Sequence, residues 1–303
     1  MENMTALVSA FARAYHYRHS DSCVFADEYA GAMLTAQEYA DISENMTRGI
    51  SYFAPGFRGR PEEALRWIVN HQLAPSVLVR SAFCERAMEN AARIGCRQMV
   101  LYAAGYDTFA LRTRDSRLNV YELDRPEMIV DKMARVARSG IAPVCHVEYV
   151  GCDLSRPDWM DALISAGFDP DQTAFGSLLG LSYYLTQDGF AQLIGGIASI
   201  SCAGSSICFD YPLADDDARS QRTRELAEAA GTPMKARYTY VELEALLSKA
   251  GFLIYEHMNS DEATDAFFTD YNFDKRKFHL RLDEMMSAPR GVGYCLAVRK
   301  HSY

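Results

Sequence analysis

Up to about residue 95 the apolar positions recur at helical spacing, and from Gln98 onward short apolar runs alternate with amphipathic stretches. Leu7, Phe11, Ala14 and Tyr15 share one face of a first helix that stops near the polar run His19-Ser20-Asp21-Ser22. A second helix is predicted over Glu28–Arg48, followed by the loop from Ala54 to Pro61. Pro61 opens the next helix, with Glu62 and Glu63 at its positive end. A further helix is predicted from about Pro75 to Ile94, stopped by Gly95, which tolerates the left-handed conformation of a helix end.

The runs after this point predict strands over Gln98–Ala103, Leu118–Asp124, Val144–Val150, Ala174–Leu179, Ser206–Tyr211, Phe252–His257 and Gly293–Arg299. Helices are predicted over Pro126–Arg138, Pro157–Ala166 and Gln187–Ser201, and the capping-box spacing of Thr239 and Glu242 opens one more. Strands alternating with helices predict an α/β fold with a seven-stranded, mostly parallel, doubly wound sheet. Residues 1–95 then form a helical N-terminal cap on an α/β domain over 96–303, the two making one integrated unit.

Composition narrows the functional classes. The net charge of −9 opposes binding to a phosphate backbone, so no nucleic-acid partner is expected. No apolar run approaches the length that crosses a bilayer, and the N-terminus lacks a signal-peptide pattern. The eight cysteines show no CxxC pair, which predicts neither a metal centre nor a disulfide framework and points to the cytoplasm.

The chemistry concentrates after the first predicted strand, in Ala103-Ala104-Gly105-Tyr106-Asp107-Thr108. Nineteen positions beyond Gly105, Asp124 tips the second strand. A strand, a tight turn, a helix and an acid-tipped strand form half of a nucleotide-binding unit, in which the acid accepts from ribose hydroxyls. A diphosphate cofactor such as NAD(P) wants GxGxxG and a bare helix N-terminus, whereas this turn has one glycine and a carboxylate at Asp107. S-adenosylmethionine has no phosphate and carries an ammonium that tolerates an acid, so electrostatics favour it. Asp107 also reads as the cap of the short helix containing Phe109 and Leu111, and the two roles are compatible.

These segments, taken in order, resemble the leucine carboxyl methyltransferase-like family of S-adenosylmethionine-dependent methyltransferases. The resemblance rests on Arg80 before the first strand, Gly105-x-Asp107-Thr108 with Arg112, and Tyr121-Glu122-Leu123-Asp124-Arg125-Pro126 with Lys132. It continues through Cys152-Asp153-Leu154, Gly180-Leu181-Ser182-Tyr183-Tyr184-Leu185, and Gly204-Ser205 leading to Phe209-Asp210-Tyr211. It spans nearly the whole chain and implies a class I, Rossmann-like methyltransferase fold whose cofactor is S-adenosyl-L-methionine and whose product is S-adenosyl-L-homocysteine. By that resemblance Arg80 pairs with the methionine carboxylate, Ala103 and Gly105 bring backbone to the methionine moiety, and Asp107 lies beside it. Asp124 takes the ribose, while Asp153 and Leu154 read the adenine. Plain capping roles remain open for Asp124 and Asp153. Two positions depart from the pattern: Ala103 stands where many relatives have glycine, and Leu179 where many have glutamate.

An ionised carboxylate acceptor needs no general base, whereas a phenol or alcohol needs one near neutral pKa. The candidate bases are His16, His19, His71, His146, His257, His279 and His301, and no motif places any of them at the carboxyl ends of the central strands. The expected activity is therefore O-methylation of a carboxylate on a small molecule or peptide end. A non-catalytic cofactor-binding module and an NAD(P)-dependent oxidoreductase are the alternatives. Tyr184 is expected at the substrate edge as a positioning group, with Tyr183 and Tyr211 shaping the same pocket. The cluster of Arg13, His16, Tyr17, Arg18 and His19 reads first as a solvated helix end and alternatively as a positive surface, with Arg13 and Tyr17 then meeting substrate. The polar stretch Ala214–Arg224 reads as a cover over the site.

Overall fold

The fold is that of a computed structural model, which describes residues 4–214, 235–277 and 285–300. Seven strands form one sheet in the order β3-β2-β1-β4-β5-β7-β6. They are β1 (Gln98–Tyr102), β2 (Asn119–Asp124), β3 (His146–Gly151), β4 (Ala174–Leu178), β5 (Ser206–Pro212), β6 (Phe252–Met258) and β7 (Val292–Arg299). The first five run parallel, and β7 lies antiparallel between β5 and β6.

Side chains of β1 alternate between two cores, as a pleated strand requires. Met99 and Leu101 join the core that includes the N-terminal helices, and Val100 and Tyr102 join the opposite one. Both faces are covered, so β1 is buried at every position and reads as a continuous apolar run. Among the described residues, no helix is long and apolar enough to cross a membrane.

The N-terminal region comprises α1 (Met4–His19), α2 (Ala36–Arg48), α3 (Ile50–Phe53), α4 (Pro61–Ile68) and α5 (Ala74–Arg93). One hydrophobic cluster runs from Leu7 and Phe11 of α1 through Leu78 and Phe83 of α5 to the sheet. The helix expected over Glu28–Arg48 is divided: a short 3-10 turn spans Ala30–Met33, and α2 begins only after Thr35. The reason is a capping box, in which Thr35 Oγ1 accepts from the Glu38 amide and Glu38 accepts from the Thr35 amide. Between α4 and α5 the helix widens to π geometry over Val69–Leu73. Pro75 has no N–H for the carbonyl four residues back, and the Ala74 amide bonds instead to the Val69 carbonyl.

The helices after β1 are α6 (Phe109–Arg112), α7 (Pro126–Ser139), α8 (Trp159–Ser165), α9 (Gln187–Ser199), α10 (Tyr240–Lys249), α11 (Ser260–Phe267) and α12 (Thr269–Lys277). Glu38 of α2 also ties the N-terminal region to α7 through a two-pronged contact with Arg135, at 2.7 and 2.8 Å. Hydrogen bonding from Arg135 is the main reason the Glu38 carboxyl is held down to about 2. A carboxyl depressed in the folded state contributes stability above its unfolded pKa and loses it as pH falls. The contact is therefore expected to contribute about 1–2 kcal/mol at neutral pH, after screening at a partly exposed site, and to lose it between about pH 4.5 and 2. Urea melts of wild type and Glu38→Gln from pH 7 to pH 3 check this: the difference should shrink with acid, and a constant gap would refute it.

Candidate functional site

The sheet order places β1 between β2 and β4, so successive crossovers leave in opposite directions and open a crevice at the carboxyl ends of β1 and β4. A cavity of about 400 Å³ occupies that crevice. Its floor is β1 and the turn after it, its walls are Asp124 on one side and Leu179-Gly180-Leu181 on the other, and Thr5, Ala6, Ser9 and Arg13 of α1 lie across it. Arg80 of α5 and Tyr184 complete the β4 side.

The turn is built for close approach. Ala103 takes φ +53°, so the strand ends at Tyr102 rather than at Ala103 as expected. It is the only non-glycine residue among those described with positive φ, which costs an L-residue about 1 kcal/mol. Gly105 follows at φ +48°, and a side chain there would sit 3.4 Å from Ala6 Cβ of α1. Asp124 Oδ2 accepts from the Gly105 amide at 2.8 Å and Oδ1 from the Arg125 amide at 2.8 Å. A carboxylate offers about four acceptor sites, so Asp124 keeps capacity for further donors while lining the cavity. Asp107 also lines it, and its Oδ1 accepts from Phe109, the first amide of α6. The one-turn helix therefore has its leading N–H taken by a carboxylate, which suits a phosphate-free ligand better than a diphosphate.

On the β4 side, Arg80 Nη2 donates to Ser9 Oγ at 3.1 Å, and Nη1 lies 3.7 Å from Asp210 Oδ2. Gly180, at φ +66°, makes room for the guanidinium, since a Cβ there would stand 2.8 Å from Arg80 Nη1. Burial raises the Tyr184 phenol, with Arg80 opposing and Asp210 adding, so it remains protonated at neutral pH and keeps an O–H that can donate. No histidine stands among the described lining residues; His279 and His301 lie outside the described residues.

Arg80, Ala103, Gly105, Asp107, Asp124, Tyr184 and Arg13 are brought together around this cavity. Arg13, however, is not at a solvated helix end. It is buried, its Nε donates to Asp27 at 2.7 Å, and its Nη2 donates to the Tyr106 carbonyl at 2.6 Å. Burial pushes the Asp27 carboxyl up, but Arg13 and Arg112 outweigh it and hold it below the usual range. Arg112 in turn grips Glu85 of α5 with both terminal nitrogens. Arg13 thus locks α1 onto the turn after β1, which leaves less of its guanidinium for substrate than expected. Tyr17 is exposed and lies outside the lining.

Tyr183 and Tyr211 also lie outside the lining, for a shared reason: their hydroxyls are spent inside the protein. Tyr183 donates to Asp210 Oδ2 at 3.0 Å, and Tyr211 pairs with His257 Nε2 at 2.7 Å. Asp153 is exposed and folds onto Ser155, while Leu154 packs against the second core; neither lines the cavity. They follow β3, whose Gly151 pairs with Asp124, so they border the cavity's Asp124 side. The proposed cover falls at residues 215–224, outside the described residues. The sequence reading assigned no role to Ser9, Ser81 or Ser177, which line the cavity; small hydroxyl residues in helices and strands carry no pattern of their own.

Comparison with known proteins agrees with this geometry. The family model described as leucine carboxyl methyltransferase matches residues 6–198. A Bacillus subtilis (strain 168) protein named as the S-adenosyl-L-methionine-dependent methyltransferase YktD is 37% identical over 98% of each chain. A Saccharopolyspora erythraea protein with the same functional name is 31% identical over 68% of this chain and 66% of its own. Among solved structures, a DUF574 family protein from Streptomyces avermitilis superposes with a TM-score of 0.57 at 14% identity, covering 96% of this chain and 97% of that one. A methyltransferase structure from Thermobifida fusca gives 0.56 at 15% identity, with 96% and 94% covered. At such low identity these two speak for the fold alone. With its family match over most of its length and its near-full-length relative, the chain belongs to the leucine carboxyl methyltransferase family.

Proposed function

We propose that this enzyme, a methyltransferase that uses S-adenosylmethionine, transfers the methyl group to a carboxylate oxygen of a small molecule or peptide end. The observation that carries the reading is Tyr184, a half-buried phenol that stays protonated in the cavity wall it shares with Arg80. A donor with a cationic neighbour suits an acceptor that arrives as an oxyanion, and an ionised carboxylate needs no base.

The residues present fit the cofactor. A positive-φ turn with little side chain, the carboxylates of Asp107 and Asp124 and the Arg80 guanidinium match a zwitterion joined to a ribose. In this reading Arg80 holds the methionine carboxylate, the Ala103–Gly105 backbone and Asp107 face the methionine portion, and Asp124 accepts from the ribose hydroxyls. Asp153 and Leu154 flank the adenine beyond the enclosed part of the cavity. The cofactor supplies a methyl group on a positively charged sulfur. The chain's part is to orient the acceptor through Tyr184 and to exclude water with α1.

Two measurements test the reading. With a methyl-labelled cofactor and a panel of carboxylate, phenol and amine acceptors, product label should be released as methanol by mild base, as esters require. Base-stable product would refute the carboxylate assignment, and binding without any turnover would favour the non-catalytic module. In calorimetric titration, Asp124→Ala should weaken S-adenosylhomocysteine by about 1.5–3 kcal/mol, the range of hydrogen bonds to a charged group. Unchanged affinity would return Asp124 to a purely structural role at the Gly105 turn.

A further inference from the structure

The charges around the cavity are unevenly placed. Both lining carboxylates, Asp107 and Asp124, belong to the turn after β1 and the end of β2, where Arg13 and Arg125 line the cavity beside them and balance their charge. The β4 side presents Leu179, Gly180, Leu181 and Tyr184, with the Arg80 cation and no acid in the described lining. The balancing charge stands one layer behind this wall. Asp210 of β5 is fully buried, and its carboxylate is held by Gly180 and Arg80 of the wall and by Tyr183 behind it. Its Oδ1 accepts from the Gly180 amide at 2.6 Å, its Oδ2 accepts from Tyr183 at 3.0 Å, and Arg80 Nη1 lies 3.7 Å from Oδ2. Its main-chain carbonyl accepts from Ser182 Oγ at 2.8 Å, which fixes the same segment a second time.

We infer that Asp210 is a positioning and selectivity residue: its fixed negative charge, placed behind Gly180, favours the cationic cofactor over its neutral-sulfur product. The inference rests on the cofactor reading above. Two features of the placement carry it. A carboxylate without solvent exposure is poorly screened, so its field reaches across the thin wall that Gly180 provides. The contact to Arg80 is longer than a direct hydrogen bond, while the shorter ones come from a neutral amide and a neutral phenol. Asp210 therefore holds the Gly180–Tyr183 segment in place and keeps the Arg80 side of the cavity from being net positive. A net positive wall would repel a sulfonium and leave a thioether untouched. Because Asp210 does not line the cavity, it acts through field and position rather than contact.

The two ligands differ by one methyl and one positive charge, so their ratio isolates the field from general damage. Calorimetric dissociation constants for S-adenosylmethionine and S-adenosylhomocysteine would be measured on wild type and Asp210→Asn, which keeps the shape and an acceptor for Gly180. The expected result is that the preference for S-adenosylmethionine falls on the order of three- to tenfold in the variant. Equal weakening of both ligands, or an unchanged ratio, would overturn the role of Asp210 and leave the cofactor reading standing. Failure of wild type to bind either ligand would overturn both. Should Asp210→Asn not fold, Tyr183→Phe reads the same field with opposite sign. It removes a donor that offsets the carboxylate, so the ratio should shift roughly twofold toward S-adenosylmethionine, and no shift counts against the proposal.

Discussion

Arg80→Ala is expected to weaken S-adenosylhomocysteine binding by about 1.5–3 kcal/mol, or roughly tenfold to more than a hundredfold. Three features hold the guanidinium in the cavity wall: the Ser9 hydroxyl, the Asp210 carboxylate, and the slot left by the absent side chain of Gly180. With its side chain only 16% exposed, Arg80 has lost most of its conformational freedom before any ligand arrives. The planar fork is thus presented ready to meet a carboxylate with two parallel bonds. Arg80→Lys keeps the charge without the fork and should fall between wild type and alanine. Truncation also leaves Asp210 without its cation, so part of any loss would be structural. Titration with 5′-methylthioadenosine separates the two effects, because that ligand lacks the amino acid portion. Its affinity should stay within about twofold of wild type if Arg80 reads the methionine carboxylate. Parallel losses for both ligands would show that Arg80 only supports the wall.

The contrast between Arg80 and Arg13 shows what the sequence could convey about such a site. Both are cations on N-terminal helices, and both reach the cavity. The position of Arg80 before the first strand marked it through family resemblance. The buried state of Arg13 depends on Asp27 and on the Tyr106 carbonyl, 14 and 93 residues away, and no local pattern carries such a pairing. Similarly, the seven strands were legible because each is an apolar run bounded by turn residues, and a sheet buried on both faces demands such runs. The division of the predicted Glu28–Arg48 helix was legible in principle, because Thr35 and Glu38 have capping-box spacing. The surrounding helical period masked it. Asp210 was visible as part of a strand end, but its place behind Gly180 follows from β5 lying beside β4, which only the tertiary structure supplies. Tyr183 and Tyr211 look alike in sequence as candidate pocket aromatics, and their buried partners, Asp210 and His257, turn both inward.

The largest stability effect is expected from the ion pair that joins α7 to β2. Lys132 Nζ stands 2.5 Å from Glu122 Oε2, and both side chains are 1% exposed. Burial is the leading influence on Glu122 and raises its carboxyl, with Lys132 pulling the other way. Lys132→Met removes that opposing charge and leaves a carboxylate in the core, at a cost of about 3–5 kcal/mol near neutral pH. The sign of the pH dependence follows. An acid whose pKa is higher in the folded than in the unfolded state destabilises the fold once pH exceeds the unfolded value. The variant should therefore recover stability as pH falls from 8 toward 5, because the buried carboxyl can then take up a proton. This opposes the acid loss expected for the Glu38–Arg135 contact, which lies on the lower side of pH 4.5. A paired change, Glu122→Leu with Lys132→Met, removes both charges and should restore stability to within about 1–2 kcal/mol of wild type. Urea unfolding at pH 5 and pH 8 on the three proteins decides the matter. A Lys132→Met penalty that is the same at both pH values, or a double variant no better than the single, would mean that the pair serves packing rather than charge compensation.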